Sequence, residues 1–371
     1  MPALAIALCA ALLFFFAGPC RAEGLIQEEL RIPAAYPGLF GERALRLEAL
    51  AVRPDDAAAH PLALLTHGAP RDESKRRSMT PQAMLPQARE FARRGFSAVI
   101  VMRRGYGESE GQCVEGYAGS LGAAYGEAGL KGAQDLRQAI LYLRGLPWVD
   151  SGRVLAVGVS AGGFAITALT TDPPPGLVAA ISFAGGRGSV SDDTVKDEPA
   201  LIQAFATYGR DSRLPMLWVY AENDRYFRPG LSRQFFEAFA GRGGRAEFVL
   251  APAFGKDGHA LFSLRGIPVW TPIVDRFLAA HDLRLRETPL DLPAAATPAP
   301  KGLSKGGRAA FKEYLSSPPR KAFALSEDGA FGWRSGLRSE AEARKEALAG
   351  CRRHAKKECR VVMVDEEMIE E

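Results

Sequence analysis

The sequence predicts an α/β fold: a doubly wound, mostly parallel sheet followed by a small α+β module. Three observations carry that expectation. Apolar runs of four to six residues recur without polar alternation, as in strands covered on both faces. Helix-length segments separate them, the alternation expected of parallel strands joined by crossovers. A Pro/Ala-rich stretch then interrupts the pattern after His281 and divides a large unit from a small one. A length of 371 residues accommodates one large or two smaller domains, and 47% hydrophobic with 24% charged residues suits a soluble globular core. The formal net charge of +4 gives no reason to expect a nucleic-acid partner.

The first 22 residues are set apart. Leu4–Ala17 is an apolar run of signal-peptide length, Gly18-Pro19 ends it, and Cys20-Arg21-Ala22 offers a small-x-small cleavage site. The expectation is export, periplasmic or secreted, with no stable membrane insertion after cleavage. An uncleaved N-terminal anchor is the alternative, because the run reaches the lower edge of spanning length.

Residues 23–286 hold the sheet. Leu45–Val52, Leu62–Thr66, Ser97–Met102, Val154–Val159, Val178–Phe183, Met216–Tyr220 and Glu247–Leu250 read as strands. Pro86–Arg94, Gln134–Arg144, Ala161–Thr171, Leu231–Ala240 and Pro272–His281 read as the intervening helices. Residues 287–305 form a Pro/Ala-rich linker without useful periodicity. In residues 306–371, Ala322–Ser326 and a strand beginning at Phe331 flank the turn Asp328-Gly329, which predicts a hairpin. Ser339 and Glu342 form a Ser-x-x-Glu capping box opening a helix to about Ala355, and Val361–Val364 is a final strand candidate. Removal of the leader leaves Cys113, Cys351 and Cys359, an odd count pointing to one bridge and one thiol. Cys351 and Cys359 form the natural pair on one condition. Eight residues of continuous helix would hold them about 12 Å apart, so the helix must end between them.

Gly-x-Ser-x-Gly occurs twice, at Gly107–Gly111 (GESEG) and Gly158–Gly162 (GVSAG). The pattern marks a nucleophile only where a strand turns sharply into a helix. Both serines follow a strand, but only Ser160 is followed by a credible helix, AGGFAITALT, with small residues at the turn. Gly158 and Gly162 would permit the close backbone approach that such a turn requires. Ser109 lies between two glutamates and precedes a Gly-rich stretch, so Ser160 is the candidate nucleophile. A serine hydroxyl needs a general base held by an acid. Of five histidines, His60 and His67 precede the serine, His281 ends a helix and His354 lies in a Lys/Arg-rich helix. His259, in the loop after the last sheet strand, is the candidate base. Asp224 follows the strand MLWVY, where open α/β sheets place their sites, with Glu222 as near rival and Asp257 as a less favourable one. The amides of Ala161 and Ala69 are the candidate oxyanion donors, Gly68 letting the backbone approach and His67 shaping the loop.

These motifs resemble the α/β-hydrolase superfamily, in its dienelactone hydrolase-like and serine peptidase/esterase-like branch, over roughly Leu45 to His281. The resemblance rests on THGA at Thr66–Ala69, RRGYGES at Arg103–Ser109, GVSAGG at Gly158–Gly163, AEND at Ala221–Asp224 and DGH at Asp257–His259. It implies the α/β-hydrolase fold, a Ser160–Asp224–His259 triad in that chain order, and Ala69 and Ala161 at the oxyanion hole. It also implies acyl transfer to water from a small-molecule ester or peptide, without metal or organic cofactor. RGYGES matches a structural turn at the edge of the site. True dienelactone hydrolases carry cysteine where this chain has Ser160, so their substrate does not transfer. Residues 187–215 occupy the usual place of a cap, in which Phe205 and Tyr208 are expected either to line a pocket or simply to pack. The C-terminal module resembles small secreted domains with a Trp-containing hairpin, a helix and two late cysteines. Its basic helix is either a solvated face or a binder of an anionic polymer. A binding or scaffold protein on a retired hydrolase fold is the competing functional class.

Overall fold

The computed structural model of the protein describes residues 20–22, 24–38, 41–117, 124–292 and 297–369. The apolar run predicted as a leader lies outside them, as does part of the linker. The described strands are β1 (Cys20–Ala22), β2 (Leu25–Gly38), β3 (Gly41–Pro54), β4 (His60–Thr66), β5 (Ser97–Val101), β6 (Val149–Val159), β7 (Leu177–Phe183), β8 (Ser189–Ser191), β9 (Thr194–Val195), β10 (Met216–Ala221) and β11 (Ala246–Ala251). All but β8 and β9 join one nine-stranded sheet in the order β1-β2-β3-β5-β4-β6-β7-β10-β11. From β5 to β11 every pairing is parallel, while β1, β2 and β3 form an antiparallel edge.

Every run of residues 23–286 read as a strand in the sequence lies in this sheet, and β1 and β2 are additions. The β2 sequence LIQEELRIPAAYPG mixes charge and proline with little continuous apolar character. Pairing along the whole of β3 holds it, from Leu25 opposite Pro54 to Gly38 opposite Gly41.

The parallel strands are buried on both sides because successive side chains point to opposite faces. Leu62, Leu64, Val99, Val101 and Ala156 enter one core, while Ala63, Leu65, Ala98, Ile100 and Val157 enter the other. The helices are α1 (Leu85–Arg93), α2 (Tyr125–Leu143), α3 (Ala161–Leu169), α4 (Glu198–Gly209), α5 (Pro229–Ala240) and α6 (Ile267–Ala280). Leu136 of α2, Phe164 of α3, Leu201 of α4 and Phe235 of α5 fill the first core. Phe91 of α1 with Trp270 and Phe277 of α6 fill the second. Strand order reverses between β4 and β6, since the chain moves outward from β4 to β5 and then returns to extend the other way. Such a switch point opens a crevice at the carboxyl ends of its strands. Those ends carry His67-Gly68-Ala69 and Ser160.

The C-terminal module comprises α7 (Lys305–Ser316), β12 (Ala322–Ser326), β13 (Phe331–Arg334), α8 (Glu340–Arg352), β14 (Cys359–Val364) and β15 (Glu367–Met368). Its sheet runs β13-β12-β14-β15. The helix α7, unanticipated in the sequence, is capped by the Ser304 hydroxyl, which accepts from the Gly307 amide at 3.0 Å. It packs Phe311 and Tyr314 against Phe323. In α8 the Ser339 hydroxyl accepts from the Glu342 amide at 3.2 Å, but Glu342 returns its carboxylate to the Arg338 amide instead of Ser339. The helix ends at Arg352, so the Cys351 and Cys359 Cα atoms lie 6.2 Å apart and the disulfide is formed. For a sequence separation of 8, chain entropy assigns the bridge about 2.5 kcal/mol. Reduction, or the Cys351→Ser/Cys359→Ser double variant, is expected to lower the melting temperature of this module by calorimetry while leaving the main transition in place.

Candidate active site

Ser160 stands between β6 and α3 with φ 57° and ψ −124°, a backbone conformation that strains any L-residue. Its neighbours explain how the turn closes. A Cβ on Gly158 would meet the Gly162 carbonyl carbon at 2.5 Å, and one on Gly162 would meet the His67 carbonyl oxygen at 2.5 Å. The serine amide donates to the Phe183 carbonyl at 2.9 Å, and the Gly186 amide donates to the Ser160 carbonyl at 3.2 Å. Ser160 is 8% exposed and lines a cavity of about 170 Å³ with Ala69, Ala161, Arg187, Tyr226 and Phe227.

The loop after β4 comes against this turn, since a Cβ on Gly68 would stand 3.0 Å from the Ser160 Cβ. Ala161 is the first residue of α3, so its N–H is among those a helix leaves unpaired. Both Ala69 and Ala161 reach the cavity.

His67 is buried and both ring nitrogens are occupied. Nδ1 donates to the Gly68 carbonyl at 2.7 Å, and Nε2 accepts from the Arg103 amide at 3.1 Å. Burial first, and the Arg103 charge second, push its pKa down to about 3. It is therefore a neutral strut that fixes the loop.

Asp224 and His259 come together from the ends of β10 and β11. The buried Asp224 carboxylate accepts from the Tyr226 and Phe227 amides at 2.8 and 2.9 Å. It also accepts from His259 Nδ1 at 3.1 Å through Oδ2. The two loops are tied by Gly258, whose amide donates to the Asn223 carbonyl at 3.0 Å. A Cβ there would strike Ala221 and Asn223 at 2.6 Å. The imidazole stacks on Tyr226, with centroids 3.8 Å apart and planes 8° from parallel, and Arg71 covers the other side of that phenol at 3.7 Å. Glu222 is exposed, and Asp257 accepts from the backbone amides of His259 and Arg225 at 2.9 and 3.0 Å. Neither holds the imidazole. Among the described residues no hydrogen bond joins Ser160 to His259; the Nδ1 contact leaves Nε2 as the ring nitrogen available to it. Catalytic hydrogen bonds are often long before substrate binds.

Ser109 has a different task. Its buried hydroxyl donates to the Met102 carbonyl at 2.6 Å and accepts from the Glu48 amide at 2.9 Å, which locks a turn. Phe205 and Tyr208 belong to α4 and pack with Phe164 and Trp218 in the first core. They pack and do not line the cavity, because α4 packs against α2 and α5. Lining residues that were not foreseen include Arg71, Tyr117, Arg187 and Tyr226, from loops, and Arg76, from a short 3-10 helix over Glu73–Ser78, all in segments without a motif.

Beneath the cavity lies a buried ion cluster. Arg103 donates through Nε to Glu115 and through Nη1 to Thr66 Oγ1 and the His67 carbonyl, at 2.8 and 2.7 Å. Arg187 Nη1 lies 2.8 Å from the same Glu115. Burial alone would raise the Glu115 pKa, but the two arginines hold it down at about 2.

The family model of the X-Pro dipeptidyl-peptidase (S15 family) matches residues 43–225, an interval containing Ser160 and Asp224 and ending before His259. No functionally curated protein matches the chain. Among solved structures, the acylaminoacyl peptidase of Pyrococcus horikoshii superposes with a TM-score of 0.50 at 17% identity. That superposition covers 72% of this chain and 44% of the peptidase, so the chain spans less than half of that protein's length. The Thermogutta terrifontis esterase 2 phosphorylated by paraoxon gives a TM-score of 0.49 at 17% identity, covering 70% of this chain and 96% of its own. The sheet order, the strained turn, the family match and the peptidase superposition define an α/β-hydrolase fold. Over residues 43–225 the chain is similar to the S15 peptidase family, carried on this fold.

The cluster makes stability depend on acid. Unfolded His67 takes up a proton below its ordinary pKa of 6.5, whereas folded His67 resists until about 3. Glu115 likewise protonates near 4.5 when unfolded and near 2 when folded. In both cases the unfolded state binds more protons, so stability falls as pH falls. Melting temperature is expected to decline from about pH 6.5 downward, and His67→Gln is expected to flatten its slope between the two His67 pKa values.

Proposed function

We propose that the protein is an exported serine hydrolase that cleaves an ester or amide bond through an acyl-enzyme. Ser160 is its nucleophile, His259 its general base and Asp224 the acid that holds the base. The observation that carries the reading is the Asp224–His259 hydrogen bond at 3.1 Å, formed beside a cavity into which a strained strand–helix turn presents Ser160. Export is supported by the apolar N-terminal run and its cleavage sequence.

The chemistry follows from the donor and acceptor arrangement. With Nδ1–H donated to Asp224, the imidazole is held in the tautomer whose Nε2 can accept the serine proton. Attack by Ser160 Oγ on the scissile carbonyl creates an oxyanion, for which the Ala69 and Ala161 amides are the proposed donors. Collapse expels the alcohol or amine, which takes the proton back from His259. Water, deprotonated by the same imidazole, then attacks the acyl-enzyme, and Ser160 leaves with the proton returned. Asp224 stays ionised throughout, stabilising the imidazolium.

A fluorophosphonate probe is expected to label the folded protein at Ser160 and to leave Ser160→Ala unlabelled. Absence of labelling, or labelling unchanged in Ser160→Ala, would reject the hydrolase mechanism in favour of a binding protein on this fold. Asp224→Asn is expected to lower kcat by about 10⁴, as for a triad left with the wrong tautomer. Glu222→Gln should leave it within about twofold, since exposed substitutions away from a site have small effects. Loss of activity only in the latter would show that the acid is misassigned.

A further inference from the structure

Resting on the hydrolase reading for its geometry, we propose that the cavity at Ser160 is a subsite for a carboxylate carried by the substrate, with Arg187 as its principal anchor. The position of Arg187 in the chain is the first reason. Gly186 donates its amide to the Ser160 carbonyl at 3.2 Å, and a Cβ on Gly186 would strike the Phe227 ring at 2.6 Å. The loop after β7 is thereby clamped between the serine turn and the aromatic that borders His259. Arg187 is the next residue, and its side chain joins the lining of the cavity that Ser160 lines.

Charge is the second reason. Arg187 is 4% exposed, and its charge is held by an acid that it must share. Glu115 is that acid, paired with Arg103 as well. His67 is neutral, and burial together with the nearby Glu115 charge pushes the Tyr106 hydroxyl up to about 12. Two guanidinium charges against one carboxylate leave the buried group with one positive charge in excess. An uncompensated buried charge is costly, and a bound anion would relieve it.

The third reason is hydrogen bonding. Arg187 Nε is buried without an acceptor among the described residues, as is the Nε of Arg76, another lining residue. Buried donors of this kind ordinarily have partners; these two Nε atoms are themselves enclosed, so it is the ends of the two lining guanidinium groups that an oxygen anion arriving with the substrate would meet. Arg71 adds a third guanidinium to the lining, partnered by Asp192 at 2.9 Å. Glu73 is the sole acidic lining residue among those described, and it is already paired with Arg76 at 2.6 Å. A ligand cation would meet repulsion here, while an uncharged acyl chain would leave the arginine donors unmatched. The cavity is also smaller than the roughly 300–1,000 Å³ of sites for drug-sized ligands, which suits a short acidic chain.

The test compares mono-para-nitrophenyl glutarate with para-nitrophenyl butyrate in the full-length protein, in Arg187→Met and in Arg76→Gln. Calorimetric titration of glutarate and of its neutral diamide accompanies it and requires no turnover. The charged ester is expected to exceed the neutral one in kcat/KM by about tenfold or more, as charge-assisted hydrogen bonds allow. That ratio should fall toward one in Arg187→Met and fall partway in Arg76→Gln. Glutarate should bind the wild type and not Arg187→Met, and the diamide should bind neither. Equal use of the two esters by the wild type, a ratio unchanged in Arg187→Met, or no glutarate binding would overturn the carboxylate subsite. If glutarate binds through Arg187 but neither ester turns over and Ser160 resists the fluorophosphonate, the anion site stands and the hydrolase mechanism falls. Should Arg187→Met fail to fold, the wild-type ester ratio, the diamide comparison and Arg76→Gln still decide the matter.

Discussion

The backbone of Ser160 sits at φ 57°, and the site can exist only if the surrounding chain holds it there. A strained residue persists when its neighbours over-determine it. Here β6 approaches from one side, α3 leaves on the other, and contacts across the turn come so near that Gly158, Gly162 and Gly163 have no room for a Cβ. The strand reversal between β4 and β6 then puts the Gly68 loop against the same serine. Parallel pairing of β7, β10 and β11 in register brings the remaining loops to the same edge of the sheet. The core fixes the strands, the strands fix the turn, and the turn fixes where a hydroxyl meets the cavity.

Polar contacts complete what apolar packing begins. From one buried position Arg103 binds Thr66 and His67 at the end of β4 and Glu115 farther along its own loop after β5. Glu115 in turn engages Arg187 after β7. Loops are ordinarily the most mobile parts of a domain. These are cross-linked by charges taken out of water, which makes separation of one partner expensive. The aromatic stack of Arg71, Tyr226 and His259 does similar work on the opposite wall, holding the imidazole plane while Asp224 holds its Nδ1. Rigidity of this kind suits a site whose chemistry depends on pre-positioned groups.

Much of this was legible in the sequence because it was written locally. Apolar runs such as LALLT and VLAVGV fit strands of a covered sheet, and Gly spacing around Ser160 fits a close turn. Asp224 was legible only as the acid after a strand end, with Glu222 as its near rival, and it is the fold that exposes Glu222 and buries Asp224. What escaped was non-local. The strand β2 depends on fourteen partners in β3, not on its own composition. Arg187 and Arg76 look like ordinary surface arginines until the fold brings them to one cavity. Phe205 and Tyr208 had the right character for a pocket and were drawn instead into the core by Phe164, Trp218 and Phe235.

The Gly-x-Ser-x-Gly sequence at Gly107–Gly111 acquires its meaning from the C-terminal module. Ser109 locks the turn, and the adjoining Glu108 amide donates to the Glu48 carboxylate at 2.8 Å. Arg338, just before α8, binds that same carboxylate, its Nη2 donating at 3.0 Å. A Cβ on Gly107 would strike Glu48 and Arg338 at 2.3 and 2.6 Å, so this glycine is required by the joint between the two units. Thr80 reinforces it by donating to the Gly336 carbonyl at 2.5 Å. The Gly107 amide also donates to the Arg76 carbonyl at 2.9 Å, and the Arg76 side chain lines the cavity at Ser160. The module therefore docks against the segments around Gly107 and Thr80, next to the turn that carries Arg76 into one wall of the cavity.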